Sequence, residues 1–382
     1  YNNITGKHFD SGDYPQSLCR AVEEIDLAAV RRRQVAGEPD GRLIGVGFAT
    51  YCEQAAHGTS VYSGWGIPMV PGFEQAIARV TPDGGLELRI GVHSHGQGME
   101  TSMAQVAHEI LGIDLARIKL IHGDTALTPY STGTWGSRSM VMAGGAVSRA
   151  CEILRERACN IGAHLLQAKA GDVRLEGGCV TNGSSSVDFT DIARAWYKRP
   201  ETLPAGVAHE GLEVLAGYKP KVDSGTFSYA THAVTVAVDP ALGSVELLDY
   251  VVVEDGGKLV NPLIVDGQIL GGVAQGIGTA LYEESPYSAE AQPLASTMLD
   301  YMLPGACEVP DVRIFHMETL SPYTAHGVKG IGEGGAIAPP AAIANAVNDA
   351  LRGLGTEVTE TPITPKRLLH ALSQSRAQER QT

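Results

Sequence analysis

The chain has 382 residues, 43% of them hydrophobic and 19% charged, and a formal net charge of −14. That balance describes a globular protein with a sizeable core, long enough for one large domain or two to three ordinary ones. It excludes a nucleic-acid partner, which needs clustered Lys and Arg, and no apolar run approaches the roughly 20 residues of a membrane span.

An anionic small molecule remains compatible with the acidic balance, because backbone N–H groups at helix starts hold phosphate without net positive charge. The six cysteines (Cys19, Cys52, Cys151, Cys159, Cys179 and Cys307) are scattered and form no C-x-x-C. This spacing argues against a zinc ribbon or an iron–sulfur site within the chain. Free thiols in a reducing compartment, and hence the cytoplasm, are expected. The opening "YNNITGKHFDSGDYPQSL" lacks the charged and apolar regions of a signal peptide. It also lacks an initiator Met, so the chain is expected to be processed or cut from something longer.

In chain order, a lead-in segment and charged helix occupy 1–42, the helix running through "SLCRAVEEIDLAAVRRRQVAG". Strands are expected at 43–51, 74–80 and 86–92, with "VTPDGG" as the hairpin turn between the last two. In "HSHGQGMETSMAQVAHEILGI", Met103, Val106, Ala107, Ile110 and Leu111 share one helical face, and Gly112 is placed to end the helix. A strand "RIKLIHG", the polar loop "DTALTPYSTGTWGSRS" and a long helix to about Lys169 follow. "LEGGCVTNGSSSVDF" reads as a hairpin. The proline- and glycine-rich stretch 197–225 is the expected boundary between a first half, 43–200, and a second, 226–370. In the second half, strands at 228–238 and 244–254 precede the glycine-rich helix "VDGQILGGVAQGIGTALYEE". A strand near 311–318 then leads to "HGVKGIGEGGAIAPP". Pro339 and Pro340 suit the first turn of a final helix, where a missing N–H costs least. Residues 371–382 read as a disordered tail. The pattern predicts an α+β fold with mixed sheets and packed helices.

Four glycine-rich or small polar turns lie at helix starts or within a helix: Gly96–Gly98, Gly136–Ser139, Gly271–Gly278 with Gln268 and Gln275, and Gly330–Gly335. Each offers free N–H groups and a positive dipole end, and Gln97, Gln105 and Gln275 add amides able to hydrogen-bond a heterocycle. Together they suit a flat, polar, phosphate-bearing cofactor. The bland reading is that each turn is plain connection, and that glycines 271, 272, 276 and 278 permit close helix packing. Glu333 stands alone among glycines, as if something large passes close to that loop. His93 and His95 have no third ligand at a telling spacing and read as ordinary polar strand residues. Gly330–Gly335 satisfies G-x-G-x-x-G, the dinucleotide fingerprint. However, "SPYTAHGVK" before it is no strand, two prolines follow, and an acid inside the turn would repel a pyrophosphate. The Rossmann reading fails on context.

The motifs "GQGMETSMAQVAHEILGI", "HGDTALTPYSTGTWGSRS", "GQILGGVAQGIG", "LDYMLPGACEVPD" and "GVKGIGEGG", in that order between Leu43 and Gly355, carry a resemblance. Together they resemble the C-terminal half of the molybdopterin-binding large subunit of the xanthine dehydrogenase/aldehyde oxidase family, with particular likeness to aerobic carbon monoxide dehydrogenase. The resemblance implies the fold of the second molybdopterin-binding domain of molybdenum hydroxylases. It implies that Gly96, Gln97, Gly98, Thr101 and Gln105 hold the pterin, and that Gly136, Ser137, Arg138 and Ser139 approach the metal and dithiolene. Gln275, Gly276, Lys329 and Gly330 complete the cofactor contacts, and Glu333 matches the catalytic base. The resemblance also implies that no side chain ligates molybdenum directly.

The implied activity is oxidative hydroxylation of an aldehyde or N-heteroaromatic substrate with water as oxygen source. Carbon monoxide oxidation, or a non-catalytic assembly subunit with a vestigial site, are the alternatives. The implied cofactor is molybdopterin in its cytosine dinucleotide form. Iron–sulfur clusters and FAD are expected on partner chains. The family's large subunit is about twice as long, and its earlier half carries a GG-x-E segment, a substrate-class loop and an R-x-x-GRPE segment that these 382 residues lack. A partner chain carrying that half is therefore expected, whether the chain is a split subunit or a fragment. His95 stands where several relatives carry Met or Gln. Tyr62 and Trp65, in "HGTSVYSGWGIPMVPGF", are expected to border the substrate; a surface loop anchored by a buried Trp is the alternative.

Overall fold

The computed structural model describes residues 2–67 and 69–379. Helix α1 (Tyr14–Glu24) is capped by the Asp13 carboxylate, which accepts the Gln16 N–H at 3.1 Å. The sequence reads one charged helix here, but two form. Asp26 adopts a left-handed conformation (φ +46°), and its carboxylate caps the Ala29 N–H to start α2 (Leu27–Ala36). A short polar side chain tolerates that region and satisfies an orphan donor of the new helix.

Strand β1 (Leu43–Ala55) is followed by the short helix α3 (Thr59–Gly64), then by β2 (Glu74–Val80) and β3 (Leu86–Ile90). The latter two pair antiparallel across the expected turn, and both alternate buried and half-buried residues. Helix α4 (Met99–Leu111) ends at Gly112, which is left-handed (φ +68°) as the sequence leads one to expect. Strand β4 (Ile118–Ile121) and a π-helical turn at Ser139–Gly144 lead into α5 (Gly145–Leu165), which stops four residues short of Lys169. The expected hairpin is a small antiparallel sheet of β5 (Arg174–Glu176), β6 (Cys179–Thr181) and β7 (Ser186–Asp188). Next come α6 (Phe189–Lys198), the single turn α7 (Ala205–Ala208) and β8 (Glu213–Tyr218). Strands β9 (Thr226–Asp239) and β10 (Ser244–Asp255), helix α8 (Pro262–Ile277), β11 (Val312–Met317), α9 (Pro339–Leu351) and α10 (Pro365–Glu379) complete the chain.

The larger sheet has the order β1-β9-β10-β11, antiparallel except for the β10–β11 pair. β9 is buried along nearly its whole length, so it reads as a continuous apolar run rather than an alternation, as a strand covered on both faces should. One face packs on α1 and α2 through Ala21, Ile25 and Val30; the other packs on α8, α9 and α10. The second sheet, β4-β3-β2-β8, lies over α4, α5 and α6 with its own core of Leu88, Met103, Leu154 and Ile192.

Two expectations need correction. The halves are not sequential, because β1 joins the sheet of the later segment while β8, inside the stretch read as a boundary, joins the earlier sheet. The segment read as a tail from 371 continues α10 to Glu379, held by the buried Leu368 and Leu372; Arg380–Thr382 lie outside the described residues. All six cysteines are free. Among the described residues, no helix is long and apolar enough to cross a membrane.

Candidate active site

Four segments distant in sequence line one cavity of about 760 Å³: His95–Met99, Thr134–Met140, Gly256–Gln268 and Lys329–Glu333. Its size falls within the roughly 300–1,000 Å³ of small-molecule sites. The first segment is the turn before α4, with Gly96 at φ +108° and Gly98 at φ +70°. Gly98 gives α4 no side-chain cap, while the Glu100 carboxylate in its first turn accepts the Glu100 N–H. The third segment enters α8, whose cap residue Asn261 accepts the Ile264 N–H at 3.1 Å and donates to Gln105 Oε1 at 2.9 Å. That amide ties α8 to α4.

The glycines around Glu333 serve the protein's own backbone. A Cβ on Gly330 would sit 2.0 Å from the Ser137 carbonyl oxygen, and one on Gly334 would sit 2.5 Å from the Tyr51 hydroxyl. Gly330 therefore meets the Ser137 loop at backbone distance and Gly334 meets a side chain of β1, with Glu333 between them in sequence. Ser137 stands at φ +52°, a strained region for a residue with a Cβ and one that marks functional positions more often than chance. Its hydroxyl accepts the Glu333 N–H at 3.1 Å and lies 3.1 Å from Glu333 Oε2. The same Oγ lies 2.5 Å from Oε1 of Glu53, on β1. Glu53 is half-buried. Burial pushes its carboxyl up to about 7; the Glu333 charge adds to that rise, and hydrogen bonds from Ser137 and Ser228 oppose it.

Of the predicted residues, the cavity gathers Gly96, Gln97, Gly98, Gly136, Ser137, Arg138, Ser139, Lys329, Gly330 and Glu333. Gln275 lines a smaller adjoining cavity of about 260 Å³ with Gln268, and Glu333 borders both. Thr101, Gln105 and Gly276 are not on either lining; Gly276 is buried, and a Cβ there would lie 2.6 Å from Pro339. Close helix packing accounts for it. Of the three Lys and Arg residues on the lining, two are held by buried carboxylates, and the third, Lys258, is exposed and lies 3.4 Å from Glu318. Arg138 is buried and pairs with Glu74 at 2.5 Å, donating also to the carbonyls of Phe73 and Gly133. The Lys329 ammonium lies 3.2 Å from Asp255, both side chains fully buried. Gln97 spends its Oε1 on the His95 N–H.

Tyr62 is buried and Trp65 is 52% exposed, so the phenol, not the indole, anchors the loop. Tyr62 packs edge-on against Trp65 at 5.6 Å and against the cavity residue Trp135 at 5.3 Å. Its hydroxyl lies 3.1 Å from His57 Nδ1, and burial first, then the Lys7 charge, lowers the His57 pKa to about 4. The rings of His93 and His95 meet at 4.5 Å in the loop after β3 rather than on the strand. Among the described residues no group of three or more metal-ligating side chains occurs. Sequence reasoning missed Glu53, Glu74 and Asn261. The available signal was an acid within the otherwise uncharged strand "LIGVGFATYCEQA".

A profile of the molybdopterin cofactor-binding domain family matches residues 20–310. The chain belongs to that family. The nicotine 6-hydroxylase large subunit of Paenarthrobacter nicotinovorans is 35% identical over 374 residues, covering 97% of this chain and 45% of its own. The carbon monoxide dehydrogenase large chain of Hydrogenophaga pseudoflava is 32% identical, covering 98% and 46%. The solved quinoline 2-oxidoreductase from Pseudomonas putida 86 superposes with a TM-score of 0.90 at 34% identity, over 98% of this chain and 47% of that one. The chain thus spans about half the length of the relatives it matches. Its α+β fold with mixed sheets is that of molybdopterin-binding large subunits.

The cavity can be tested chemically for fit to a molybdopterin. A phosphate favours the positive end of a helix, and the N-cap of α4 has no side-chain bond; the Glu100 carboxylate in that turn takes its own N–H and faces His122. Arg138 and Lys329 are neutralised by buried carboxylates, which leaves an anion to the backbone N–H groups and to the exposed Lys258 on the lining.

Proposed function

We propose that the chain is the molybdenum-cofactor-binding part of an oxidative hydroxylase that uses water as oxygen source on an aldehyde or N-heteroaromatic substrate. The observation that carries this reading is the convergence of four remote segments on one cavity, with Glu333 as the carboxylate at its edge. The nicotine and quinoline enzymes among the relatives favour the heteroaromatic class. Electrons would leave to iron–sulfur and FAD partner chains, and the cytoplasm would supply the cofactor in its cytosine dinucleotide form.

When bound, the molybdenum cofactor supplies the two-electron redox chemistry. The chain supplies position and a base. The turns at Gly96–Gly98 and Gly136–Ser139 would hold the cofactor through backbone N–H groups, with Gln97 and Gln275 at its edges. Glu333 accepts a proton from the water that becomes the product's oxygen. Ser137, bonded to the Glu333 main chain and facing its carboxylate, keeps that carboxylate aimed at the cavity.

Glu333→Gln keeps the size of the side chain and removes its basic site. It should retain molybdenum while turnover falls by about 10²–10⁴-fold, the usual range for loss of a general base. Metal content and substrate reduction rate, measured on the same sample, decide this. A loaded variant reduced at the wild-type rate would remove Glu333 from the mechanism.

A further inference from the structure

The Ser137 hydroxyl has more neighbours than one proton satisfies. Its Oγ accepts the Glu333 N–H at 3.1 Å, and it faces Glu53 Oε1 at 2.5 Å and Glu333 Oε2 at 3.1 Å. A hydroxyl donates once and offers two lone pairs. One lone pair takes the N–H, and the hydroxyl proton goes to one carboxylate. The other carboxyl can face the remaining lone pair only as an acid, because two oxygens with no proton between them repel. The contacts therefore close when the two carboxyls carry one added proton.

We propose that Glu53 and Glu333 share one proton through the Ser137 hydroxyl, which makes Glu53 a positioning residue for the base. The assignment of Glu333 as base rests on the function proposed above; the shared proton does not. Glu53 is the better carrier, being half-buried on β1 while Glu333 is exposed. Ser228 Oγ on β9 faces its Oε2 at 3.4 Å. Tyr51, on the same strand, holds its proton tightly because it is buried, and Cys52, the next residue, is likewise raised by burial. The nearby Lys329 ammonium is taken by Asp255, and Asp10 bears on Cys52. Among the described residues, no ion pair reaches Glu53. With Glu53 as the acid, its O–H donates to Ser137 Oγ, and the Ser137 O–H donates to the Glu333 carboxylate. When Glu53 ionises, Ser137 must divide one proton between two carboxylates, and Glu333 loses its donor.

Infrared difference titration of the assembled enzyme with ¹³C-labelled glutamate tests this, both with cofactor and in a cofactor-free preparation. The wild type should show a carboxylic-acid signal that disappears as pH rises through about 7, the value set by burial and the Glu333 charge. Glu53→Gln should abolish the signal. Glu333→Gln should move it to lower pH by removing a negative neighbour, and Ser137→Ala should move it to higher pH by removing a donor. Those last two variants keep the test decisive even if Glu53→Gln assembles poorly. No titrating signal, a signal that survives Glu53→Gln, or one unmoved by both other variants overturns the proposal. The readout needs no turnover. An active Glu333→Gln enzyme with a shifted signal would sink the base and keep the shared proton, and an inactive one beside a wild type with no signal would do the reverse.

Discussion

Glu333 and Glu53 are both carboxylates on the same hydroxyl, yet only one was legible in the sequence. Glu333 is conspicuous because the residues beside it carry no side chains. Some of those glycines also serve the protein itself, admitting the Ser137 carbonyl beside Gly330 and the Tyr51 hydroxyl beside Gly334. Glu53 sits in a strand, and nothing local says which loop that strand will meet across 84 residues. Its environment makes a stability prediction. A folded carboxyl that holds its proton more tightly than the unfolded chain makes stability fall as pH rises from its ordinary value to its folded value, and level off above. For Glu53 that window runs from 4.5 to about 7. At about 1.4 kcal/mol per pKa unit, the loss is at most a few kcal/mol for a group partly reached by solvent. Unfolding free energies of wild type and Glu53→Gln should therefore diverge across the window, the wild type losing ground. Parallel curves would show that Glu53 titrates normally.

At the scale of elements, long segments with strong periodicity or turn signals were readable, and short or centrally buried ones were not. Helix α4 and the β2–β3 hairpin have clear local marks at Gly112 and "VTPDGG". Strand β8 alternates over only six residues among prolines and glycines, so the local signal is drowned. Helix α10 has a polar composition and owes its place to Leu368 and Leu372, a tertiary fact. The junction of α4 and α8 depends on one amide that both caps and bridges. Asn261→Ala should cost about 1 kcal/mol for the lost N-cap and release Gln105 as well. Because both helices line the cavity, cofactor occupancy should fall with it, while Asn261→Asp should recover the cap but not the donor to Gln105. Thermal midpoints and molybdenum content of the two variants separate cap from bridge. Equal occupancy in both would confine Asn261 to helix stability.

For the whole molecule, the interleaved sheets explain why composition placed a boundary where none exists. A chain whose first strand pairs with its ninth cannot be cut at residue 197–225 without opening a sheet edge, and an open edge invites pairing with other chains. The molecule also presents apolar side chains to solvent in one stretch: Leu294, Met298, Leu299, Met302 and Leu303 are each more than half exposed. Contiguous exposed apolar surface in a soluble protein generally marks a contact. The relatives are about twice as long as this chain, and a partner segment of that further length would be enough to cover such surface and close the cavity. Hence the 382 residues expressed alone should aggregate or purify without stoichiometric molybdenum. Co-expression with the remaining half of a relative-length subunit should raise both solubility and metal content. The comparison is made by metal analysis and light scattering on matched preparations. Full molybdenum loading of the isolated chain would mean that the four turns suffice by themselves, and that the exposed leucines and methionines have some other use.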